Sequence, residues 1–198
     1  MNVKEHYDLL VCENNDPVRD PESLRTYMDG WDGARFVESM RLDESKSVLE
    51  IGVGTGRLAL RTAPLCKHLV GIDLSPRSVE RAKENLSVLS NVELICDDFL
   101  EHSFSSRFDV IYSSLTFLHI EDKARAIGKV VGLLAEKGVF VLSIDMEQSR
   151  ELDYGTRKIK LYPDDPEEMR RLFSNVALTL LDFYETERAY ILVGQKQS

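Results

Sequence analysis

The residues best placed to do chemistry in this chain are three glycines and a set of carboxylates. Gly52, Gly54 and Gly56 alternate through SVLEIGVGTGRLAL, residues 47–60, with Val53 and Thr55 between them. Glycine lets a backbone approach a ligand closely, and a helix start offers free amide groups, so a strand, a glycine turn and a helix together cradle a polar ligand. Glu50 precedes the turn, Asp73 stands 17 residues beyond Gly56, and Asp97-Asp98-Phe99 follows a later apolar run. A phosphate-binding loop needs lysine and then serine or threonine after its last glycine, whereas Arg57-Leu58 stands here, so that reading fails. The G-x-G-x-x-G dinucleotide fingerprint is also departed from, since position 57 is arginine and the third glycine comes one residue early. Glu50 beside the cradle would repel a pyrophosphate and suit a cationic group. Asp73 can hydrogen-bond the two hydroxyls of a ribose, and Phe99 offers a ring to bracket a base. The implied ligand has a ribose, a base and a positive charge, and no phosphate.

The elements that must position these residues follow from the alternation of short apolar runs with helical periods, which predicts a parallel sheet covered by helices. Strands are expected at 47–51, 69–73, 92–96, 108–114 and 139–144. Helical spacing follows the glycines through Leu58, Ala59, Thr62 and Ala63, with Pro64 limiting its run. A helix starting at Ser75-Pro76 places Val79, Ala82 and Leu86 on one face. A long amphipathic helix over 120–138 is expected to stop at Gly138. Residues 145–165 are mostly polar with a short strand at 158–162. A helix over 163–175 and a hairpin of two strands about Glu187-Arg188 then complete the sheet. Residues 1–45, holding Tyr7, Tyr27, Trp31 and Phe36, read as a short helical cap. The chain is expected to form one domain over 1–198, with the cap at 1–45, the core at 46–198 and 145–165 as a substrate-side insertion.

Composition narrows the partners. A net charge of −9 argues against nucleic acid or anionic lipid and toward a small molecule or protein partner. No apolar run approaches the roughly 18 residues of a spanning helix, and the first residues lack the pattern of a secretory signal. A cytoplasmic protein, monomeric or homodimeric, is the expectation. Cys12, Cys66 and Cys96 show no metal-ligand or disulfide spacing, and Cys66 and Cys96 are expected to pack as small hydrophobes.

These motifs together resemble the class I S-adenosylmethionine-dependent methyltransferases, whose first motif is similar to VLEIGVGTGRL, and the similarity runs from about residue 48 to 144. The resemblance implies a three-layer α/β Rossmann-like fold, its seven-stranded sheet ordered 3-2-1-4-5-7-6 with strand 7 antiparallel. It implies S-adenosylmethionine as cofactor, with Gly52, Val53, Gly54, Thr55 and Gly56 around its methionine part and Glu50 supporting that turn. Asp73 and Leu74 would meet the ribose side, Asp97 or Asp98 with Phe99 the adenine, and Ser113, Ser114 and Leu115 the pocket beside the sulfonium. His119, in SSLTFLHIED, is the one candidate general base, with a packing or helix-start histidine as the alternative. Ser113-Ser114-Leu115-Thr116 departs from the D/N-P-P-Y pattern of enzymes that methylate adenine or amide nitrogens, which argues against DNA. The expected activity is methyl transfer to a small-molecule acceptor, selected by 1–45 and 145–165. The rival reading is a non-catalytic protein that keeps the fold for sensing or partner binding, with an NAD-linked oxidoreductase third.

Overall fold

The computed structural model describes residues 1–197. Seven strands form one sheet: β1 (Ser47–Ile51), β2 (His68–Asp73), β3 (Val92–Cys96), β4 (Phe108–Ser114), β5 (Leu134–Asp145), β8 (Leu178–Glu185) and β9 (Ala189–Lys196). The order is β3-β2-β1-β4-β5-β9-β8. The first five strands run parallel, while β9 enters antiparallel to both β5 and β8. Setting aside a separate antiparallel hairpin, β6 (Glu151–Asp153) with β7 (Lys158–Lys160), this is the 3-2-1-4-5-7-6 arrangement expected for a Rossmann-like methyltransferase fold.

Strand alternation builds the two halves of the core. Val48, Val110, Tyr112, Val141 and Ile191 point to one face, covered by α3 (Gly33–Ser39), α4 (Ala59–Thr62) and α5 (Pro76–Asn85). Leu49, Ile51, Ile111, Phe140 and Leu192 point to the other, covered by α6 (Lys123–Leu133) and α7 (Pro166–Asn175). Sheets buried on both faces need such apolar residues on each side. The cap supplies α1 (Val3–Cys12), α2 (Glu22–Met28) and α3.

Several boundaries differ from expectation. The amphipathic helix ends at Leu133, and β5 begins at once with Leu134 paired to Phe108. Gly138 does not supply a left-handed stop; Lys137 takes φ 60° instead. A Cβ at Gly138 would lie 2.9 Å from the Ala135 carbonyl oxygen, so this glycine serves close chain approach. Helix α4 lasts one turn before a 3-10 turn at Ala63–Leu65, as Pro64 dictates. Cys66 is buried as expected, but Cys96 is exposed, because β3 is an edge strand. Among the described residues no helix is long and apolar enough to cross a membrane.

Candidate functional site

The glycine turn sits at the carboxyl end of β1. Gly52 and Val53 both donate their amides to the Ile72 carbonyl (2.9 and 3.1 Å), and Gly56 donates to Val53 (2.9 Å). Gly52, Gly54 and Gly56 have φ of 79°, 54° and 95°, a region that costs an L-residue roughly 1–2 kcal/mol. Their reasons differ. A Cβ on Gly52 would collide with the Thr116 side chain, and one on Gly56 would press on Leu86 at 3.0 Å. A Cβ on Gly54 would enter open space, so here the turn faces away from the core. Val53 is buried against Gly71, and the Thr55 carbonyl accepts from the Asn85 side chain (2.9 Å).

Two carboxyls flank this opening. Asp73 accepts the amides of Gly54 and Ser75 on its two oxygens, each at 2.9 Å, which keeps a further lone pair on each oxygen for other donors. Burial pushes its pKa up, against the opposing effect of those amides. Leu74 beside it is 38% exposed, an apolar surface at the same strand end. Glu50 faces the same side as Val48, where register sets it opposite Tyr112, whose hydroxyl donates to it at 2.7 Å. The Tyr112 hydroxyl is also 2.8 Å from that of Thr62. Burial pushes the Glu50 pKa up to about 8, with the Tyr112 hydrogen bond and Arg57 opposing. Glu50 is thus a sunken carboxyl beneath the turn that burial disposes to hold its proton, rather than the anion beside the cradle expected from sequence, because strand alternation turns it into the core.

The third and fourth strand ends differ more. Asp97 pairs with His102 at 2.8 Å, which lowers its pKa, and Asp98 accepts the Leu100 amide (2.7 Å). Phe99 is 7% exposed and lies among α6-side core residues, with Phe104 6.3 Å away and the Lys129 ammonium 5.3 Å from its ring centre. Its ring is a core element, not an open bracket for a base. Ser113 is fully buried and donates to the Ile51 carbonyl (2.9 Å), and Ser114 donates to Asp32 (3.0 Å). Both hydroxyls are therefore engaged within the protein. Leu115 is held at φ 55°, a conformation that costs a branched residue energy and recurs where a backbone must face a ligand.

His119 lies in the 3-10 turn Phe117–His119. Its Nε2 is 2.7 Å from the Tyr7 hydroxyl, and its Nδ1 is buried without a partner. Burial lowers its pKa to about 4, so the ring is neutral at ordinary pH. Burial raises the Tyr7 pKa, keeping that hydroxyl protonated. Lys123 anchors the turn by donating to the Phe117 carbonyl (2.5 Å) and the Tyr162 carbonyl (2.7 Å), and by pairing with buried Asp164 (2.6 Å).

Sequence reasoning missed residues whose partners lie far away in the chain. Asp32 is buried, accepts the Gly33 amide and Ser114 hydroxyl, and forms an ion pair with Arg57 of the glycine turn. The Trp31 carbonyl accepts from Ser143 (2.5 Å), and the Gly30 carbonyl from the Arg188 amide (2.9 Å), so residues 30–33 lie across the ends of β4, β5 and β9. Asp8 of α1 accepts the Ser75 hydroxyl (2.8 Å) and the Arg77 amide (3.1 Å) at the start of α5. Helix α1 thus spans from the Asp73 strand end to His119. The Asp-Gly pairs at 29–30 and 32–33 were the one local signal for that docking turn.

Comparison with known proteins agrees with this geometry. Residues 48–138 match the family described as "Methyltransferase domain". Nodulation protein S of Sinorhizobium fredii is 31% identical over 120 residues, which span 56% of this chain and 56% of that protein, so the chain aligns with little more than half of that relative's length. The crystal structure of the N-methyltransferase NodS from Bradyrhizobium japonicum WM9 in complex with S-adenosyl-L-homocysteine superposes with a TM-score of 0.73 at 20% identity, covering all of both chains. The [4+2]-cyclase SpnF superposes with a TM-score of 0.78 at 18% identity, covering 98% of this chain and 96% of that one. With its glycine turn, its carboxyl-ended strands and its antiparallel last strand, the chain has the Rossmann-like fold of the class I S-adenosylmethionine-dependent methyltransferases, and its residues 48–138 match the methyltransferase-domain family.

Proposed function

We propose that this chain transfers a methyl group from S-adenosylmethionine to a small-molecule acceptor. The observation that carries the reading is the opening at Gly54, with half-buried Asp73 beside it and buried Glu50 beneath the turn, the pKa values of both raised by desolvation. Carboxyls in that state favour a neighbour that brings hydroxyl donors or positive charge. Asp73 would take the ribose hydroxyls, Leu74 the flat side of the nucleoside, and the turn from Gly52 to Gly56 the amino-acid part, with Glu50 beneath it. S-adenosylmethionine, when bound, supplies an electrophilic methyl group on a positively charged sulfur.

The protein's work is then positioning and exclusion of water, which together can supply much of a methyl transfer's acceleration. Helix α1 and residues 30–33 roof the strand ends. Tyr7 holds one nitrogen of His119, and the other, buried and unpartnered, is the one an acceptor entering at the end of β4 would meet. A ring of pKa about 4 is a weak base, so His119 acts mainly by hydrogen bonding, taking a proton only from an acceptor that gives it up readily.

The relative and the structural neighbour named as nodulation protein S and N-methyltransferase support transfer chemistry, while the cyclase shows that this fold also serves other reactions. Calorimetry with S-adenosylmethionine and with NAD tests the cofactor: binding of the first and not the second is expected, and no binding of the first overturns the proposal. A thermal-shift screen of metabolites with S-adenosylhomocysteine present, followed by mass-spectrometric detection of a 14 Da gain from the methyl replacing a hydrogen (roughly, by the balance of the transfer step), identifies the acceptor. A protein that binds the cofactor yet methylates none of a broad acceptor set favours the sensing reading.

A further inference from the structure

The acceptor-side hairpin and the N-terminal helix are far apart in sequence, and one side chain joins them. Arg157, in the turn between β6 and β7, places Nη1 and Nη2 each 2.7 Å from the two carboxylate oxygens of Glu13, just past the end of α1. Its Nε donates to His6 Nδ1 at 3.0 Å, and its guanidinium carbon lies 5.1 Å from the Tyr154 ring centre. All three contacts use the fixed fork of arginine, which lysine cannot reproduce. Arg157 is 9% exposed and Glu13 51%, so the clamp closes over α1 from the solvent side.

The bond to His6 settles a proton. An arginine Nε only donates, so His6 Nδ1 accepts and the neutral ring carries its hydrogen on Nε2. His6 is fully buried and its Nε2 has no partner in the protein. The adjacent Tyr7 stands edge-on between the two imidazoles, 5.1 Å from that of His6 and 5.3 Å from that of His119. We infer that Arg157 is a positioning residue that locks α1 onto the β6–β7 hairpin and so holds Tyr7 against His119 above the cofactor cradle. The inference rests on the reading of that cradle as a methyl-donor site. Because α1 is also tied at Asp8 to the start of α5, it bridges the cradle from the Asp73 side to the His119 side. On this inference a nucleoside-sized molecule leaves the cradle by displacing α1 and breaking the Arg157 contacts.

Three variants of the full-length protein test this: Arg157→Gln, Arg157→Lys and Glu13→Gln. Long-range proton–nitrogen NMR of the ligand-free protein reads the His6 tautomer, which is expected in the Nε2–H form in wild type and averaged between forms in Arg157→Gln. Stopped-flow release of S-adenosylhomocysteine is expected to accelerate about three- to tenfold in Arg157→Gln and Glu13→Gln, with Arg157→Lys in between and association rates changed less. An unchanged His6 tautomer, or an unchanged release rate, in folded Arg157→Gln overturns the inference. Glu13→Gln probes the clamp from its exposed end should the arginine variant fold poorly. If wild type binds no S-adenosylhomocysteine, the methyl-donor reading fails, while the NMR signature still decides whether Arg157 sets His6.

Discussion

Asp73 offers the sharpest test of how the cradle works, because it has two tasks that can be separated. Its oxygens hold the Gly54 and Ser75 amides, and under the proposal they also meet the ribose. Asp73→Ala strands both amides; each unpaired buried donor costs about 1–3 kcal/mol. Asp73→Asn keeps one oxygen and turns an amine toward the other backbone donor, so it loses one bond. It also sheds the desolvation that raises the Asp73 pKa, which holds its stability loss near the low end, about 1 kcal/mol or ~2–4 °C in Tm for a domain of this size. Loss of the ribose contact is expected to weaken S-adenosylhomocysteine by about 1–3 kcal/mol, or roughly 5- to 150-fold, in calorimetry. Turn damage and ribose loss separate with a deoxyribose analogue of the ligand: wild type should lose affinity on the hydroxyl's removal, and Asp73→Ala should lose little more. Equal losses in wild type and Asp73→Ala, or an unchanged affinity for the parent ligand, would refute the ribose assignment.

Other consequences are as specific. Glu50 has a folded pKa of about 8 against an ordinary 4.5, so the folded state holds a proton that the unfolded chain has released between those values. The stabilising effect of that proton is full below about pH 4.5 and is lost as pH rises through about 8, at up to ~1.4 kcal/mol per pH unit; Glu50→Gln should flatten that decline in denaturant titrations across pH 5–8 (a window set, roughly, by the same two pKa values). A cationic ligand near Glu50 should lower its pKa, so binding should release protons, read as calorimetric enthalpies that vary with the buffer's ionisation heat. Arg57→Met leaves the buried Asp32 carboxylate without its counter-ion and should cost about 3 kcal/mol, or ~6–12 °C in thermal melts; a shift within 1 °C or so would remove the pair from the account. Gly52→Ala combines φ 79° with a collision at Thr116, and should lower Tm and abolish measurable S-adenosylhomocysteine binding, whereas Gly54→Ala, strained by its φ of 54° but meeting open space, should fold with a smaller loss of Tm and lose affinity.

Much of this molecule was readable from local pattern. Apolar runs 47–51, 69–73 and 108–114 became β1, β2 and β4 because buried parallel strands need apolar residues on both faces. Ser75-Pro76 opened α5, with the serine hydroxyl accepting the Ser78 amide. Gly138 misled because a glycine after a helical period serves close approach as readily as a left-handed turn; the difference lies in the Asp109 and Ala135 carbonyls beside it, which sequence does not place. The surroundings of Ser113, Ser114 and Phe99 were likewise beyond the sequence: the two hydroxyls bond the Ile51 carbonyl and Asp32, and Phe99 packs in the core, through partners that local pattern does not place.

The sequence by itself determined the strand–turn–helix rhythm, the glycine turn and the carboxyl that ends β2, since these depend on backbone freedom and residue period over a few positions. Tertiary structure alone decided the state of those groups. Glu50 acquires its raised pKa only when Tyr112 and the sheet exclude water from it. Tyr7 meets His119 where α1 packs on α5 through Asp8, and Arg157 meets Glu13 only because a hairpin some 140 residues downstream turns back over it. Contacts across such separations are set by packing and chain closure rather than by local preference, so the cradle could be read along the chain and its roof could not.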